Sequence, residues 1–500
     1  MSTTAPHDGA TTTAEGPRSG RGPGLETRGI EPVPDSERTA RTRELFPTWV
    51  AANISVLLLT MGASLSVTYG LNFWQALVVG VAAPVVAYGL VGLTGIAGKR
   101  GGAPGMTLSR AVFGQRGNLL PGSLIWVARW GWETINAVTG AYALLTVLDI
   151  LFGVRRNTAL VVVTLLLFVV GTFAISGLGI RAVQRCNKWA TYLFGAFSVL
   201  VLGHLVVETD WGEVFGRGAG STAAMITGVG LIAAGGISWV PSSPDFTRYL
   251  PRTASSAAIV RNSVGGAGVV VLPMVLMGAV MASGTPDLAS AADPVSFLGE
   301  ILPLWLAVPY LLMALVGMLL INSMSMYSAG FTAQTLGFRV SRPWAVSVNA
   351  AISLALGAVL MLAATSFLGS FIAFLSLLAV AFSAWVGVFG VDMLRRTTYD
   401  AEALLDTGRT SAYWYRGGFS PAAVTAWALG LVTGLLFTRS DWFTGPLATG
   451  NPIGEYGLGW AATIVVAGLL YALLPKPAVR MPGPASAPAA GETSAQPLAV

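Results

Sequence analysis

Long apolar stretches alternate with short clusters of charged residues, glycine and proline along most of the chain. A helix needs about 20 residues to cross the roughly 30 Å hydrocarbon core of a bilayer, so each apolar stretch predicts one membrane-spanning helix. The pattern predicts twelve such spans. Their predicted bounds are 46–69, 73–97, 119–149, 157–177, 189–208, 223–250, 260–282, 303–330, 343–364, 367–393, 420–438 and 455–475.

The two ends of the chain lack this pattern. Residues 1–45 are rich in Ser, Thr, Gly, Pro, Arg and Glu, and residues 476–500 are rich in Ala, Pro and Gly. Such segments bury too little apolar surface to offset the chain entropy lost on folding. We therefore expect a disordered tail at each end of a transmembrane domain that covers residues 46–475.

The composition agrees with a polytopic membrane protein. Of the 500 residues, 54% are hydrophobic and 10% are charged, whereas about a quarter of the residues of a soluble domain are charged. So few charged side chains cannot cover a water-exposed surface, which excludes an ordinary soluble protein. One cysteine excludes an intrachain disulfide, and two histidines provide no cluster with zinc-ligand spacing. We therefore expect no metal and no cofactor.

Basic residues are divided unevenly between the two sides of the predicted membrane domain. The loops on the side of the tails, together with Arg38, Arg41, Arg43, Lys476 and Arg480 of the tails, hold 21 Lys and Arg residues. The opposite loops hold four, namely Arg155, Arg156, Arg217 and Arg439. The positive-inside rule then predicts that both tails are cytoplasmic. Because the basic residues are spread among many loops rather than gathered on one face, nucleic-acid binding is not expected.

Two predicted spans contain residues that interrupt a simple lipid-facing helix. The first contains Asn53 and Ser55, and the sixth contains Pro241 and Pro244 after several glycines. At membrane depth, unpaired backbone groups are tolerated only where they line a protein cavity. These are the first spans of two groups of five spans each. Broken helices in matching positions of two repeats indicate the binding site of a transporter. Close helix packing by the small residues is the alternative explanation.

Three sequence blocks resemble a known transporter family. The first block joins SRAVFGQRG at 109–117 to GWETINAVTG at 131–140, the second is WVPSSPDFTRYLP at 239–251, and the third is INSMSMYS at 321–328. In these blocks the chain is similar to the purine-cytosine permease branch of the nucleobase:cation symporter family, with a resemblance that runs over residues 46–475. The resemblance implies an all-α, LeuT-like fold of two inverted five-helix repeats plus two C-terminal helices. It also implies that helices one and six are discontinuous and that the protein takes up a nucleobase.

The third span carries an aromatic and an amide side chain on one face. Trp132 and Asn136 are one helical turn apart, about 40° from each other around the axis. A nucleobase is apolar on its faces and polar at its edge, so this pair offers a stacking platform and an edge contact. The family resemblance adds Trp239 as a second aromatic wall and Asn322 as a second amide. These four residues are the predicted substrate-binding site.

Two pairs of charged residues lie within the predicted spans. Arg129 and Glu133 share the face of Trp132, and charges at this depth must face the bundle interior or a watery cavity. Their spacing permits a salt bridge within the helix; alternatively, Glu133 binds a ligand N–H or carries a coupling proton. The family pattern includes neither charge. Asp245 and Arg248, near the cytoplasmic end of span six, are interpreted as a gate or helix-end ion pair.

The coupling ion is predicted from two positions that precede Asn322. Sodium-coupled relatives carry hydroxyl residues five and six positions before this asparagine, where the present chain has Gly317 and Val316. A hydroxyl-based sodium site is therefore weakened and a proton is favoured. Ser323 and Ser325 leave sodium open as the alternative.

These features predict a symporter that imports cytosine or a purine by alternating access, with a planar heterocycle and the lipid bilayer as its partners. A symporter for another planar heterocycle, such as allantoin, a hydantoin or a vitamin, is the main alternative, followed by a membrane sensor that does not transport. An enzyme is disfavoured, because the spans contain no HExxH or GxSxG motif and no carboxylate pair. The sequence leaves the oligomeric state open.

Overall fold

Regular structure in the described residues is helical. The computed structural model describes residues 28–177, 180–291, 293–338, 342–363 and 366–475. The first ten α-helices are α1 (Leu45–Ala51), α2 (Leu57–Val67), α3 (Phe73–Gly101), α4 (Gly105–Phe113), α5 (Leu119–Phe152), α6 (Thr158–Gly177), α7 (Ile180–Glu208), α8 (Trp211–Gly216), α9 (Thr222–Ile237) and α10 (Ser243–Thr247). The others are α11 (Ser256–Gly284), α12 (Pro294–Ile301), α13 (Leu304–Thr335), α14 (Arg342–Ala363), α15 (Phe367–Arg395), α16 (Ala401–Leu405), α17 (Pro421–Phe437), α18 (Pro452–Glu455) and α19 (Gly459–Leu473). Short 3-10 helices cover Asp35–Glu37, Thr42–Glu44, Val240–Ser242 and Pro286–Ala289.

The helices confirm the all-helical, polytopic class. Within the described residues, eight helical segments are long and apolar enough to cross a membrane, and the one at Thr222–Thr247 combines α9 and α10. Four further apolar helices are shorter than this: Leu57–Val67, Ser347–Ala363, Pro421–Phe437 and Gly459–Leu473. Each predicted stretch overlaps one of these twelve segments. Two starts differ most: in the stretch predicted from residue 46 the apolar helix α2 begins at Leu57, after the separate helix α1, and α7 begins at Ile180 instead of residue 189.

Apolar side chains cover the outside of the bundle as well as its inside. Phe152, Val207 and Leu473 are 70%, 78% and 80% exposed. The buried apolar side chains form a cluster that extends from α1 to α19. A surface with so many exposed large apolar residues is stable in lipid and unfavourable in water, so the outer faces are membrane-facing.

Close helix contacts depend on glycine at a few points. α11 packs on α3, α2 and α1, α13 packs on α5, and α15 packs on α19, which also contacts α17. A side chain at Gly62 would collide with the backbone of Val275, and one at Gly278 with the backbone of Leu59. At these two glycines the backbones of α2 and α11 are therefore in direct contact, with no side chain between them.

Two stretches of the chain interrupt helices. Between α1 and α2, the Asn53 side-chain nitrogen donates to the carbonyl of Trp49 at 2.7 Å and so pairs a group that a continuing helix would use. Between α9 and α10, a 3-10 turn at Val240–Ser242 replaces the α-helical ladder. Pro241 and Pro244 have no backbone N–H to donate there, which accounts for the change.

Residues 28–44, which belong to the expected N-terminal tail, contact the membrane domain in the structure. Arg38 is buried in this segment, and its guanidinium donates to the carbonyls of Val33 and Lys99 at 2.8 and 2.9 Å. The segment is attached to the end of α3 through polar contacts, which the search for apolar periodicity does not detect. Residues 1–27 and 476–500 lie outside the described residues.

The helix α4 was not predicted, although it contains most of the SRAVFGQRG block. All nine of its residues are buried. Arg110 donates to the carbonyls of Leu404 and Thr335, and the Trp385 indole donates to Ser109. Residues 109–113 of the block therefore lie in an interior helix, and the nine residues of α4 are too few to cross a membrane.

Candidate substrate-binding site

A cavity lies between the two interrupted stretches. It encloses about 730 Å³ of space that protein atoms do not fill, part of it continuous with solvent. Its lining mixes polar, aromatic and aliphatic side chains from the α1–α2 and α9–α10 connections and from α3, α5, α13 and α15. Among the lining residues are Asn53, Ser55, Met61, Tyr88, Arg129, Trp132, Asn136, Ser238, Trp239, Ile321, Ser325 and Phe371.

The two predicted aromatic walls belong to separate aromatic clusters. Trp132 packs edge-on against Phe371 and Phe374, with ring centroids 6.0 and 5.8 Å away. Trp239 packs edge-on against Trp49, with centroids 6.1 Å apart. Each indole is thus oriented by its own neighbours without a ligand. The indole nitrogen of Trp132 is buried and has no hydrogen-bond partner among the described residues.

Arg129 covers part of the wall that Trp239 was predicted to form. Its guanidinium carbon lies 4.9 Å from the Trp239 ring centroid, in a cation–π contact. Nη2 donates to the carbonyl of Ser238 at 3.0 Å and to the hydroxyl of Ser242. The side of the cavity near Trp239 is therefore an indole with a guanidinium over it, not a bare aromatic ring.

Arg129 and Glu133 do not form the salt bridge that their spacing permits. The alternative role of Glu133, as a ligand contact or a proton carrier, stays a prediction. Glu133 is fully buried behind the lining. The Ser325 hydroxyl and the Asn349 amide donate to its Oε1 over a long 3.5 Å each, and Oε2 has no hydrogen-bond partner among the described residues. The two side chains point in different directions from α5. Arg129 is held by the α9–α10 connection, and Glu133 faces α13 and α14.

The structure brings Asn136 and Asn322 together, with Asn136 at the cavity and Asn322 behind it. Nδ2 of Asn136 lies 3.4 Å from Oδ1 of Asn322, and Nδ2 of Asn322 lies 3.4 Å from the hydroxyl of Thr172. Both hydrogen bonds are long and therefore weak. Asn322 is completely buried, so it reaches a ligand in the cavity only after a local rearrangement.

Asp245 and Arg248 do not form the predicted ion pair. Oδ1 of Asp245 accepts from the backbone N–H of Gly105 at 2.8 Å, and Oδ2 accepts from the Ser328 hydroxyl at 2.5 Å. Arg248 instead donates to the Gly29 carbonyl at 2.8 Å and lies over the ring of Phe331. Asp245 therefore connects α10 with the start of α4 and with α13.

Two serine hydroxyls connect Arg129 to Asp245. Arg129 donates to Ser242, and the hydroxyl oxygens of Ser242 and Ser328 are 2.6 Å apart. A hydroxyl has only one proton, and the short contact of Ser328 with Asp245 uses it. Ser242 therefore donates to Ser328, and a continuous hydrogen-bonded chain leads from the cavity to Asp245.

Sequence reasoning missed the role of Tyr88 in this cavity. Its hydroxyl accepts from the Asn53 amide at 2.6 Å, which ties α3 to the α1–α2 connection. Asn53 stood out in the sequence as an amide in an apolar span, but no spacing related it to a tyrosine 35 residues away. Asn349 and Ser325 beside Glu133 were missed in the same way.

Comparison with known proteins places the chain among permeases. A profile of a family described as permeases for cytosine/purines, uracil, thiamine and allantoin matches residues 32–459. Over 473 residues the chain is 25% identical to a Bacillus subtilis (strain 168) protein named as a purine-cytosine permease, YxlA, with coverage of 91% of this chain and 97% of that protein. The purine-cytosine permease FCY2 of Saccharomyces cerevisiae (strain ATCC 204508 / S288c) is 23% identical over 274 residues, which is 54% of this chain and 49% of FCY2.

The fold is also that of a solved transporter. The structure of Mhp1, a nucleobase-cation-symport-1 family transporter in a closed conformation with bromovinylhydantoin bound, matches with a TM-score of 0.71 at 21% identity. The match covers 89% of this chain and 93% of Mhp1. The family resemblance of the three sequence blocks is thereby confirmed. The chain belongs to the family of permeases for cytosine and purines, uracil, thiamine and allantoin, whose members are transporters and not enzymes.

Proposed function

We propose that this protein imports a nucleobase across the cell membrane by cation symport and alternating access. The observation that carries the proposal is the cavity that both interrupted stretches line, with Trp132 and Asn136 at its wall. A stacking platform beside an amide suits a flat ring with a polar edge. The names of the family and of its purine-cytosine permease relatives support the same substrate class.

The proposed architecture has twelve membrane-spanning helices in two inverted five-helix repeats, followed by α17 and α19. In this arrangement, α1 with α2 and α9 with α10 are the discontinuous first and sixth helices. The twelve apolar helical segments and the likeness to Mhp1 support it. Both termini are proposed to be cytoplasmic, because the loops and the adjoining parts of the tails on their side hold 21 basic residues against four on the other side.

Within this site, Trp132 is proposed to stack on the substrate while Asn136 and Asn322 pair with its edge. Stacking of a base on an aromatic side chain contributes about 1–3 kcal/mol in single-strand nucleic-acid binding, and a similar contribution is expected here. Trp239 contributes together with Arg129, as a combined indole and guanidinium wall. The long contact between Asn136 and Asn322 is weak enough for a ligand to replace.

A proton is proposed as the coupling ion. Gly317 packs so closely on the α1–α2 connection that a side chain there would collide with the carbonyl of Ile54, and Val316 is 39% exposed on the outer surface. Neither position offers a hydroxyl to a sodium ion near that connection. Glu133, buried and without an ion pair, is the proposed proton carrier. Sodium remains the alternative ion to be tested.

A symporter of hydantoins or allantoin is the second candidate function. Mhp1 is described with bromovinylhydantoin bound, and allantoin occurs in the description of the family. These ligands share a planar ring and an amide edge with the nucleobases, so the same cavity suits them. Competition between nucleobases and hydantoins for uptake distinguishes the two candidates.

Substitution of the platform and of the buried amide tests the proposed site. Trp132→Ala and Asn322→Ala are expected to lower nucleobase uptake at least about tenfold, since tenfold corresponds to 1.4 kcal/mol of lost interaction. Trp132→Phe keeps part of the stacking and should weaken affinity less. The measurement is uptake of radiolabelled nucleobase, normalised to the amount of protein in the membrane.

Trp305→Ala is the matched control, because this indole is 61% exposed on the outside of α13. It should transport at the wild-type rate. Wild-type uptake in Trp132→Ala or Asn322→Ala would remove the corresponding residue from the site.

A further inference from the structure

The buried carboxyl of Glu133 is connected to the cavity by one side chain. Ser325 lines the cavity, and its hydroxyl donates to Oε1 of Glu133 at 3.5 Å, while Glu133 itself is not part of the lining. The second donor to Oε1 is the amide of Asn349 on α14, which does not line the cavity. Among the described residues, Ser325 is therefore the one that contacts both the cavity and the proposed proton carrier.

The other groups around Glu133 restrict where a proton on it can be accepted. The Trp130 indole donates to Oδ1 of Asn349 at 3.1 Å, which orients the amide so that its Nδ2 donates to Glu133. Ser353, one turn along α14 from Asn349, lies beside the carboxyl. Its buried hydroxyl and Oε2 of Glu133 have no hydrogen-bond partners among the described residues. The Ser353 oxygen is therefore the acceptor that a proton on Oε2 can use.

The charge of Glu133 depends on its own proton and not on an ion pair. Arg129, one turn away on α5, is the charged group that acts on it in the described part of the chain, and the α9–α10 connection holds that guanidinium. The groups that face the carboxyl from α13 and α14 are neutral hydroxyls and an amide. The attraction between Glu133 and the Ser325 proton therefore changes when Glu133 is protonated.

The protonation state of Glu133 determines where the Ser325 hydroxyl points. An ionised carboxylate holds the Ser325 proton in a charge-assisted hydrogen bond, so the cavity faces the lone pairs of the hydroxyl. When Oε2 carries a proton, Oε1 is a neutral and weaker acceptor. At 3.5 Å the bond to Oε1 is long, which leaves the hydroxyl able to turn toward the cavity. The proton on Glu133 comes from solvent, whereas the Ser325 proton turns without leaving its oxygen.

We propose, resting on the proposed function, that Ser325 is the residue through which proton binding and substrate binding favour each other. Nucleobases carry a carbonyl oxygen or an unprotonated ring nitrogen, and either atom accepts from Ser325 most readily when Glu133 is protonated. A substrate with such an acceptor at Ser325 binds the protonated protein more tightly, and by reciprocity its binding favours protonation. A substrate with an N–H there would favour the ionised form and release the proton, which is opposite to symport.

The test measures the protons taken up when a nucleobase binds to the purified full-length protein. Hypoxanthine and cytosine are titrated by calorimetry in buffers of different ionisation enthalpy, over a pH range in which neither ligand titrates. Wild-type protein is expected to take up a proton with the ligand, so its affinity should rise as the pH falls, by at most about tenfold per pH unit for one linked proton. Binding without proton uptake, or with proton release, overturns the inference and leaves nucleobase binding in place.

Ser325→Ala and Ser325→Cys test whether this side chain is the link. Neither offers a strong donor to the ligand, so both should bind without proton uptake and with an affinity that no longer rises as the pH falls. Cysteine occupies nearly the space of serine and decides the test if the alanine variant does not fold. Ser325→Thr keeps the hydroxyl and should keep the proton uptake. Wild-type proton uptake in folded Ser325→Ala or Ser325→Cys overturns the inference, while the proposed function stands.

Thr332→Val is the matched control on the same helix. Thr332 is buried two turns from Ser325, does not line the cavity, and its hydroxyl donates to the carbonyl of Ser328 on its own helix at 3.2 Å. The variant should take up protons as wild type does. Loss of proton uptake in Thr332→Val as well would contradict a specific link at Ser325. If wild-type protein binds neither nucleobase, the proposed function itself fails.

Discussion

At the scale of single residues, the third predicted span shows what spacing can and cannot establish. The positions of Arg129, Trp132 and Asn136 along the sequence correctly place them on one face, and all three line one cavity. The salt bridge that the four-residue spacing of Arg129 and Glu133 permits does not form. Arg129 donates to Ser242, whereas Glu133 accepts from Asn349, so partners on different helices hold the two side chains apart. Helical periodicity predicts a shared face, but partners on other helices determine where a long side chain goes.

Glu133 allows a residue-level test of the coupling mechanism. Glu133→Gln keeps the shape and hydrogen-bonding capacity of the side chain but cannot exchange a proton at working pH. If Glu133 is the carrier, the variant should lose concentrative uptake while it retains binding and exchange of labelled for unlabelled substrate across the membrane. Glu300→Gln removes an exposed carboxylate on α12 and should behave as wild type. Accumulation of substrate against its gradient by Glu133→Gln would limit this carboxyl to a structural role.

At the scale of helices, the interrupted stretches were visible in the sequence, whereas their connections were not. Prolines 241 and 244 mark the end of α9 because they cannot donate to a helical ladder. The hydrogen bond between Ser242 and Ser328 joins residues 86 positions apart, and neither serine stands out in its own segment. The chain of hydroxyls therefore becomes visible only when α10, α13 and α4 are packed together.

Ser328 provides the central hydroxyl of the hydrogen-bonded series that connects Arg129 to Asp245, and its substitution tests whether this series stabilises the fold. In Ser328→Ala, Oδ2 of Asp245 loses its donor in a buried setting, and Ser242 loses an acceptor. The free energy of unfolding is expected to fall by about 1–3 kcal/mol, with reduced uptake, since an unpaired buried polar group costs that much. Thermal unfolding of the purified protein measures the change.

Ser263→Ala is the matched control for this element. Ser263 is equally buried, but its hydroxyl bonds only to the carbonyl of Ile259 on its own helix. The free energy of unfolding should fall much less in Ser263→Ala than in Ser328→Ala. Equal losses of thermal stability in the two variants would show that the hydrogen bonds of Ser328 do not stabilise the packing of the α9–α10 connection on α13.

At the scale of the whole molecule, hydropathy predicted the polytopic helical class, and the structure confirms it. Each predicted stretch overlaps an apolar helix, because a bilayer requires a similar length and an apolar surface of every crossing helix. Hydropathy does not predict segments that do not cross the membrane. The buried helix α4 is too short to be detected by hydropathy, and residues 28–44 attach through Arg38 and backbone carbonyls, with apolar contacts only at scattered residues such as Val33.

The orientation of the molecule in the membrane is tested with single cysteines. Ser36, in the short 3-10 helix Asp35–Glu37, and Ser290, in the loop before α12, are exposed and are predicted to lie on opposite sides of the membrane. In a Cys186→Ser background, Ser36→Cys should resist a membrane-impermeant thiol reagent in intact cells, while Ser290→Cys should be labelled. The reverse pattern would show that the basic asymmetry has been misinterpreted and that the termini are outside.

Uptake into proteoliposomes tests the central claim of proton-coupled nucleobase symport most directly. The purified protein is reconstituted without sodium, and accumulation of radiolabelled nucleobase is followed under an imposed gradient, acidic outside. The account predicts accumulation above the external concentration, collapse of that accumulation by a protonophore, and no change when sodium is added. Accumulation that requires a sodium gradient and ignores the proton gradient would contradict it.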